Sequence, residues 1–179
     1  SVESSTPMPA VAKLVVDKSD FTVTLLDASD KVVAQYPAST GSEHDPLPVG
    51  VWKIQGVSTN PTFNYNPDLF WDANPAHSKA TIPAGPNNPV GVVWVDLSKE
   101  HYGIHGTPEP SKIGKTESHG CIRMTNWSAM AMSAAVKPGV PAVPVRQLEG
   151  VRDPIVPRVP EDVGQEDQRA EQARHVRLR

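Results

Sequence analysis

The chain has 179 residues, a formal net charge of −3, and is 38% hydrophobic and 21% charged. That length supports one domain with a sizeable core plus extensions. The balanced charge, with no dense lysine or arginine run inside the expected domain, gives no electrostatic footprint for nucleic acid, and no stretch approaches the apolar length of a transmembrane helix.

The 19 prolines and the 6% aromatic content point to a loop-rich β protein, to disordered extensions, or to both, because proline ends helices and central strands. The first residue is Ser1 rather than Met, so a mature form or a fragment is expected, and a removed targeting segment is compatible with export. Residues 1–10, SVESSTPMPA, read as a flexible leader. Three β-like runs follow, at 13–16, 21–26 and 31–36, separated by the polar breaks at 17–20 and at DASD, residues 27–30. Period-2 alternation and short polar breaks predict strands joined as hairpins.

VGVWKIQGVS, residues 49–58, is the next strand candidate. Residues 59–89 are rich in Asn, Pro and aromatics and lack clear periodicity; a loop this long in a compact domain is often functional, as one wall of a cleft, or else it is an irregular surface excursion with its aromatics tucked onto the core. A strand returns at 90–97, and EHYGIHGT continues as a strand end or short strand. NWSAMAMSAAVKPG is the one convincing helix. Asn126 is expected as its N-cap, and Trp127, Met130, Ala131 and Ala134 share one face, which is expected to be core. VPAVPVR is a last strand, placed at an edge because of its prolines. From residue 147 both charge signs mix with prolines and aromatics vanish, so 147–179 is expected to be a disordered tail, leaving 11–146 as the domain.

The chemistry gathers around Cys121, the only cysteine, which therefore has no intramolecular disulfide partner. Lone cysteines are usually small buried hydrophobes. This one is flanked by His119, Gly120 and Arg123. In an extended segment residues 119, 121 and 123 share a face, which sets an imidazole and a guanidinium beside the sulfur and favours the thiolate. A cysteine nucleophile also needs a base, and the residues alone leave His105 and His119 as candidates. The N–H groups of Gly120 and Cys121 could form an oxyanion hole. A zinc set of His101, His105, His119 and Cys121 lacks the usual ligand spacings and is not favoured.

YGIHGTPEPSKIGKTESHGCIRM resembles the signature of the L,D-transpeptidase catalytic domain, the YkuD family: His105–Gly106, Ile113–Gly114, then Ser118, His119, Gly120, Cys121, Ile122 and Arg123. YPASTG and IPAGPNNPVGVVWVDLS resemble further family segments, so the likeness runs over about residues 12–146. Leu47 stands where the family commonly has threonine, and Arg123 stands where another branch has asparagine. The resemblance implies a mostly β, sandwich-like fold with one short helix after the cysteine. It implies Cys121 as nucleophile, His105 as general base, and the Gly106 carbonyl as the group that orients His105. Gly120, Ser118, His119 and Arg123 would serve the oxyanion and the substrate. No cofactor and no metal are expected. The expected reaction is acyl transfer from a peptidoglycan stem tetrapeptide, with a thioester intermediate, in a bacterial periplasm or cell wall. The acceptor is an amine of a stem peptide, a protein or a free D-amino acid. With water the enzyme would be an L,D-carboxypeptidase, and a non-catalytic cell-wall-binding module is the rival from another class.

Overall fold

A computed structural model describes residues 9–42, 46–69, 74–115 and 120–145. The expected 147–179 tail, most of the leader, Ser118 and His119 lie outside the described residues.

The N-terminal part is a meander of β1 (Lys13–Asp17), β2 (Thr22–Leu26) and β3 (Val32–Pro37). The two polar breaks make its turns by the same device. Asp17 Oδ1 accepts from Ser19 N–H at 2.8 Å and Asp20 N–H at 3.0 Å, and Asp27 Oδ1 accepts from Ser29 N–H at 2.8 Å and Lys31 N–H at 2.9 Å. A short carboxylate that caps its own downstream backbone is why aspartate favours turns. Next come β4 (Trp52–Thr59), β5 (Phe63–Tyr65), β6 (Ala80–Ile82), β7 (Val93–Leu97), β8 (Gly103–His105), β9 (Ile122–Arg123), helix α1 (Asn126–Ala135) and β10 (Pro141–Val145).

Eight strands form one mixed sheet in the order β3-β2-β1-β10-β4-β7-β8-β9. Its two ends meet. Ser39, just past β3, donates its N–H to the Arg123 carbonyl at 2.7 Å, and Arg123 N–H donates back to the Ser39 carbonyl at 2.9 Å. The folded-over sheet encloses one core, with Leu14, Val16, Val23 and Leu25 from one side and Val93, Val95, Ile104 and Ile122 from the other. The mostly β expectation with a single helix is therefore met, the sandwich being two halves of a single sheet.

The expected long loop is partly ordered as a separate ribbon. β5 and β6 pair antiparallel, with Phe63 opposite Ile82 and Tyr65 opposite Ala80. Asn88, buried, ties its base: Nδ2 donates to the Pro83 carbonyl at 3.0 Å and the Pro61 carbonyl at 3.3 Å, and Oδ1 accepts from Val90 N–H at 3.0 Å.

Two expectations are corrected. β10 is not an edge strand; it lies between β1, which it joins in parallel, and β4. The Val140 carbonyl bonds Ile54 N–H and the Val145 carbonyl bonds Lys18 N–H, so even-numbered residues face β4 and odd ones face β1. Pairing with β4 ends at Ala142, and pairing with β1 begins there. The missing N–H of Pro144 thus points past the end of one ladder and that of Pro141 before the start of the other. Proline is tolerated in a central strand when it costs no ladder bond.

Helix α1 also differs. Its N-cap is Thr125, whose hydroxyl accepts from Ser128 N–H at 3.2 Å, and Asn126 is the first helical residue. The buried residues are Ser128, Ala129 and Met132, whereas Trp127 is 67% and Met130 43% exposed. Two stripes at helical spacing compete in this sequence. Small Ser128 and Ala129 let the helix lie close against β7 and β8, where an indole would hold it away. Thr125→Ala should cost about 1 kcal/mol of stability, as measured by urea unfolding, because it leaves an N-terminal amide unpaired. An unchanged midpoint would show that the cap contributes nothing here.

Candidate active site

β7, β8 and β9 set the site by their parity. Val93, Val95, Ile104 and Ile122 face the main core. The alternate residues face the other way. Trp94 pairs with His105, and His105 pairs in parallel register with Arg123. Cys121, two residues before Arg123, is 2% exposed and joins Trp94, Phe63 and Val90 in a second apolar cluster, against which Tyr65 and Ile82 of the ribbon pack. The Asn-, Pro- and aromatic-rich segment thus covers the sheet face that carries the thiol.

His105 is 1% exposed. Its Nδ1 lies 2.6 Å from the Gly106 carbonyl oxygen. A carbonyl can only accept, so Nδ1 carries the proton. Burial lowers the imidazole pKa to about 3; the Gly106 bond opposes this and the Arg123 guanidinium adds to it. The ring is therefore neutral at ordinary pH, with a lone pair on Nε2, and Nε2 has no hydrogen-bond partner among the described residues. A buried, unsatisfied acceptor of fixed tautomer is equipped to take a proton.

Trp94 stacks on the imidazole, with ring centroids 5.6 Å apart and planes at 16°. Gly103 makes this possible: a Cβ there would lie 2.3 Å from Trp94 Cζ2. Neither residue stood out in the sequence as part of a site. The usable signal was the alternation in VWVDL, which sets Trp94 opposite to Val93 and Val95.

The segment that carries Cys121 is constrained from beneath. Gly120 has φ +97, a left-handed conformation that disfavours a side chain, and a Cβ there would lie 2.9 Å from Tyr102 Cε1. Glycine is required by the protein's own packing, in addition to any close approach of substrate. Cys121 Sγ lies 3.7 Å from the His101 carbonyl, and His101 itself has φ +68. The His101 imidazole points outward, 3.4 Å from Glu100. No group of three or more His, Cys, Asp or Glu side chains stands together as a metal set among the described residues.

Ser39 links the far edge of the sheet to the segment between His105 and Cys121. Its hydroxyl donates to the Lys112 carbonyl at 3.0 Å and accepts from Gly114 N–H at 3.0 Å and Lys115 N–H at 3.2 Å. The YPASTG and IG motifs, far apart in the chain, meet at this one oxygen. Arg123 is 2% exposed and belongs to the same edge through its backbone bonds to Ser39. Of the candidate site residues, the structure thus brings Cys121, His105, Gly106, Gly120 and Arg123 to one side of the β8–β9 edge.

The sequence profile of the L,D-transpeptidase catalytic domain, YkuD, matches residues 12–145, so the chain belongs to that family. The Bacillus licheniformis protein YkuD, assigned by name to the L,D-transpeptidases, is 52% identical over 54 residues, which is 30% of this chain and 33% of that protein. Bacillus subtilis YqjB, likewise assigned by name, is 31% identical over 127 residues, 67% of this chain and 63% of that protein. The chain thus spans a third to under two thirds of these relatives' length. Among solved structures, L,D-transpeptidase 3 from Mycobacterium tuberculosis superposes with TM-score 0.60 at 19% identity, over 76% of this chain and 61% of that one. The catalytic domain of the E. faecium L,D-transpeptidase superposes with TM-score 0.55 at 19% identity, over 75% of this chain and 96% of that one. At these identities the structural likeness establishes the fold.

Two measurements probe the geometry. Gly103→Ala should destabilise the domain by about 1–3 kcal/mol, because the added methyl collides with a buried indole; a wild-type urea midpoint would contradict the packing. The second concerns pH. His105 unfolded titrates at its ordinary 6.5 and folded at about 3. Between those values the unfolded state binds one more proton, so stability falls as pH falls, by about 1.4 kcal/mol per unit below 6.5. His105→Gln should remove that part of the slope between pH 6.5 and 4.5. If wild type and variant lose stability in parallel, burial of a neutral imidazole is not the cause.

Proposed function

We propose that this chain is a peptidoglycan L,D-transpeptidase that works by cysteine acyl transfer, with Cys121 as nucleophile and His105 as general base. One observation carries the reading most: a buried imidazole with Nδ1 donated to the Gly106 carbonyl and its Nε2 lone pair unpaired among the described residues, one strand from the only thiol. A structural histidine at such a position would be expected to pair both nitrogens.

In the first step Sγ attacks the carbonyl between the third residue and the terminal D-residue of a stem tetrapeptide. An S–C bond forms as the thiol proton passes to His105 Nε2. The depressed pKa means that no imidazolium is stored at rest; the proton moves as charge develops on the substrate oxygen. The Gly120 and Cys121 N–H groups are the proposed donors to that oxygen. On collapse the C–N bond breaks, His105 returns its proton to the leaving amine, and a thioester remains. An amine acceptor then attacks the thioester, His105 takes its proton, and the thiol is regenerated when the tetrahedral adduct collapses. Arg123 is proposed to meet a substrate carboxylate or to order the site, and Ser118 and His119 to contact substrate beside the nucleophile. The location proposed is outside the cytoplasm of a bacterium; no helix among the described residues is long and apolar enough to cross a membrane.

One related structure is described as a complex with imipenem and another as carrying a faropenem-derived adduct. The test here is mass spectrometry of this protein after incubation with stem tetrapeptide or a carbapenem. A covalent adduct on Cys121 is expected, absent in Cys121→Ala, and His105→Ala should slow its formation by roughly 100-fold or more. Folded protein that forms no adduct would sink the nucleophile assignment. A His119→Ala loss with His105→Ala intact would reverse the bases. Product analysis with a stem acceptor separates cross-linking from hydrolysis.

A further inference from the structure

We propose that Asn126 is a positioning residue for His105, acting through Gly106. The inference rests on the reading of His105 as general base. The first residue of α1 does not cap its own helix, since Thr125 does that. Its carboxamide is used elsewhere. Oδ1 accepts from Val92 N–H at 3.1 Å, and Nδ2 donates to the Pro86 carbonyl at 3.3 Å. Both partners belong to the turn that leads into β7.

The same Oδ1 fills the space beside two glycines. A Cβ on Gly106 would lie 2.2 Å from it, and a Cβ on Gly91 would lie 2.0 Å from it. Gly91 is itself left-handed, at φ +66, and its Cβ would also come within 2.6 Å of the Gly106 carbonyl carbon. Gly91, Gly106 and Asn126 therefore interlock, with the carboxamide as the wedge.

Gly106 carries the carbonyl that fixes the His105 tautomer, and its own N–H donates to the Val93 carbonyl at 3.2 Å. That amide holds one end of the residue to β7, and the wedge blocks its Cα from moving toward the helix. With both in place the carbonyl keeps its aim at Nδ1. Removing the wedge leaves space beside a glycine, the residue most able to re-orient its peptide planes. A turned carbonyl releases Nδ1–H, and the proton can then sit on either ring nitrogen. Asparagine suits the position because one planar group supplies both the acceptor for Val92 and the donor for Pro86. The helix that follows Cys121 thereby also holds the group that orients the base.

The experiment pairs nitrogen-15 NMR of the His105 ring with the rate of Cys121 acylation by a carbapenem, in the full chain. Wild type should show a single Nδ1–H tautomer. Asn126→Ala should show a tautomer mixture, with acylation slowed roughly 10- to 100-fold, as expected for a misplaced catalytic group. Asn126→Asp keeps the Oδ1 contacts and the acceptor for Val92. It should retain the Nδ1–H tautomer and acylate faster than Asn126→Ala, a rescue that tracks the Oδ1 wedge; any shift of the His105 titration by the new carboxylate acts through space and is not the readout. Asn126→Ser, which also removes the wedge but keeps a polar side chain, serves if the alanine variant does not fold. An unaltered His105 spectrum in Asn126→Ala or Asn126→Ser, or a tautomer mixture in Asn126→Asp, overturns the proposal. His105→Ala acylating at the wild-type rate would overturn the general-base reading instead, and the spectra would still report whether Asn126 sets the tautomer.

Discussion

The site depends on a parallel pairing only two residues long, Ile104 with Ile122 and His105 with Arg123. Parallel strands cannot be joined by a tight turn; they need a long crossover. Residues 106–121 are that crossover, so the imidazole and the thiol are far apart in sequence because neighbouring parallel strands must be. So short a ladder is weak alone, and its surroundings stabilise it. Ile104 and Ile122 are fully buried, the His105 carbonyl accepts from Met124 N–H at 2.9 Å, and Ser39 closes the outer side of β9 through two backbone bonds. The sheet's closure leaves β9 paired along both sides, which fixes Arg123, two residues after Cys121, beside His105.

Electrostatics and packing act together at this edge. Desolvation makes an imidazolium at His105 costly, and the buried guanidinium of Arg123 on the same face adds to that cost. The tautomer is then set by one carbonyl and the ring plane by Trp94. What remains available is a single lone pair. The imidazole is thus kept uncharged in a buried place, where charges are screened less than in water.

Much of this was legible from residue types. The aspartate turns announced the first two hairpins, because their carboxylates cap the chain locally. The family was legible because His105, Gly106 and Cys121 stand in its motif, and the family profile matches residues 12–145. What stayed hidden depends on partners distant in sequence. Trp94 became part of the site only when pairing set it against His105, and Ser39 only when the sheet closed. The helix face was ambiguous because small residues permit close packing without an apolar appearance. The prolines of β10 suggested an edge, since nothing local reveals that each missing N–H falls beyond the end of a ladder.

The central position of β10 carries a consequence for how the chain reaches this structure. β10 fills the gap between β1, near the start of the domain, and β4, and it is the last strand in chain order among the described residues. Until residue 145 is available, β1 and β4 each present an open row of backbone donors and acceptors, and the two halves of the core have no common strand. Contacts of such large sequence separation are closed late and slowly, since loop entropy must be overcome before they form. A meander formed before that insertion would present β1 as an open edge, the kind of surface that pairs with other chains when concentrated. Refolding yield should thus be governed by how quickly the C-terminal strand inserts, a kinetic burden that comes from the order of the strands rather than from the chemistry of the site.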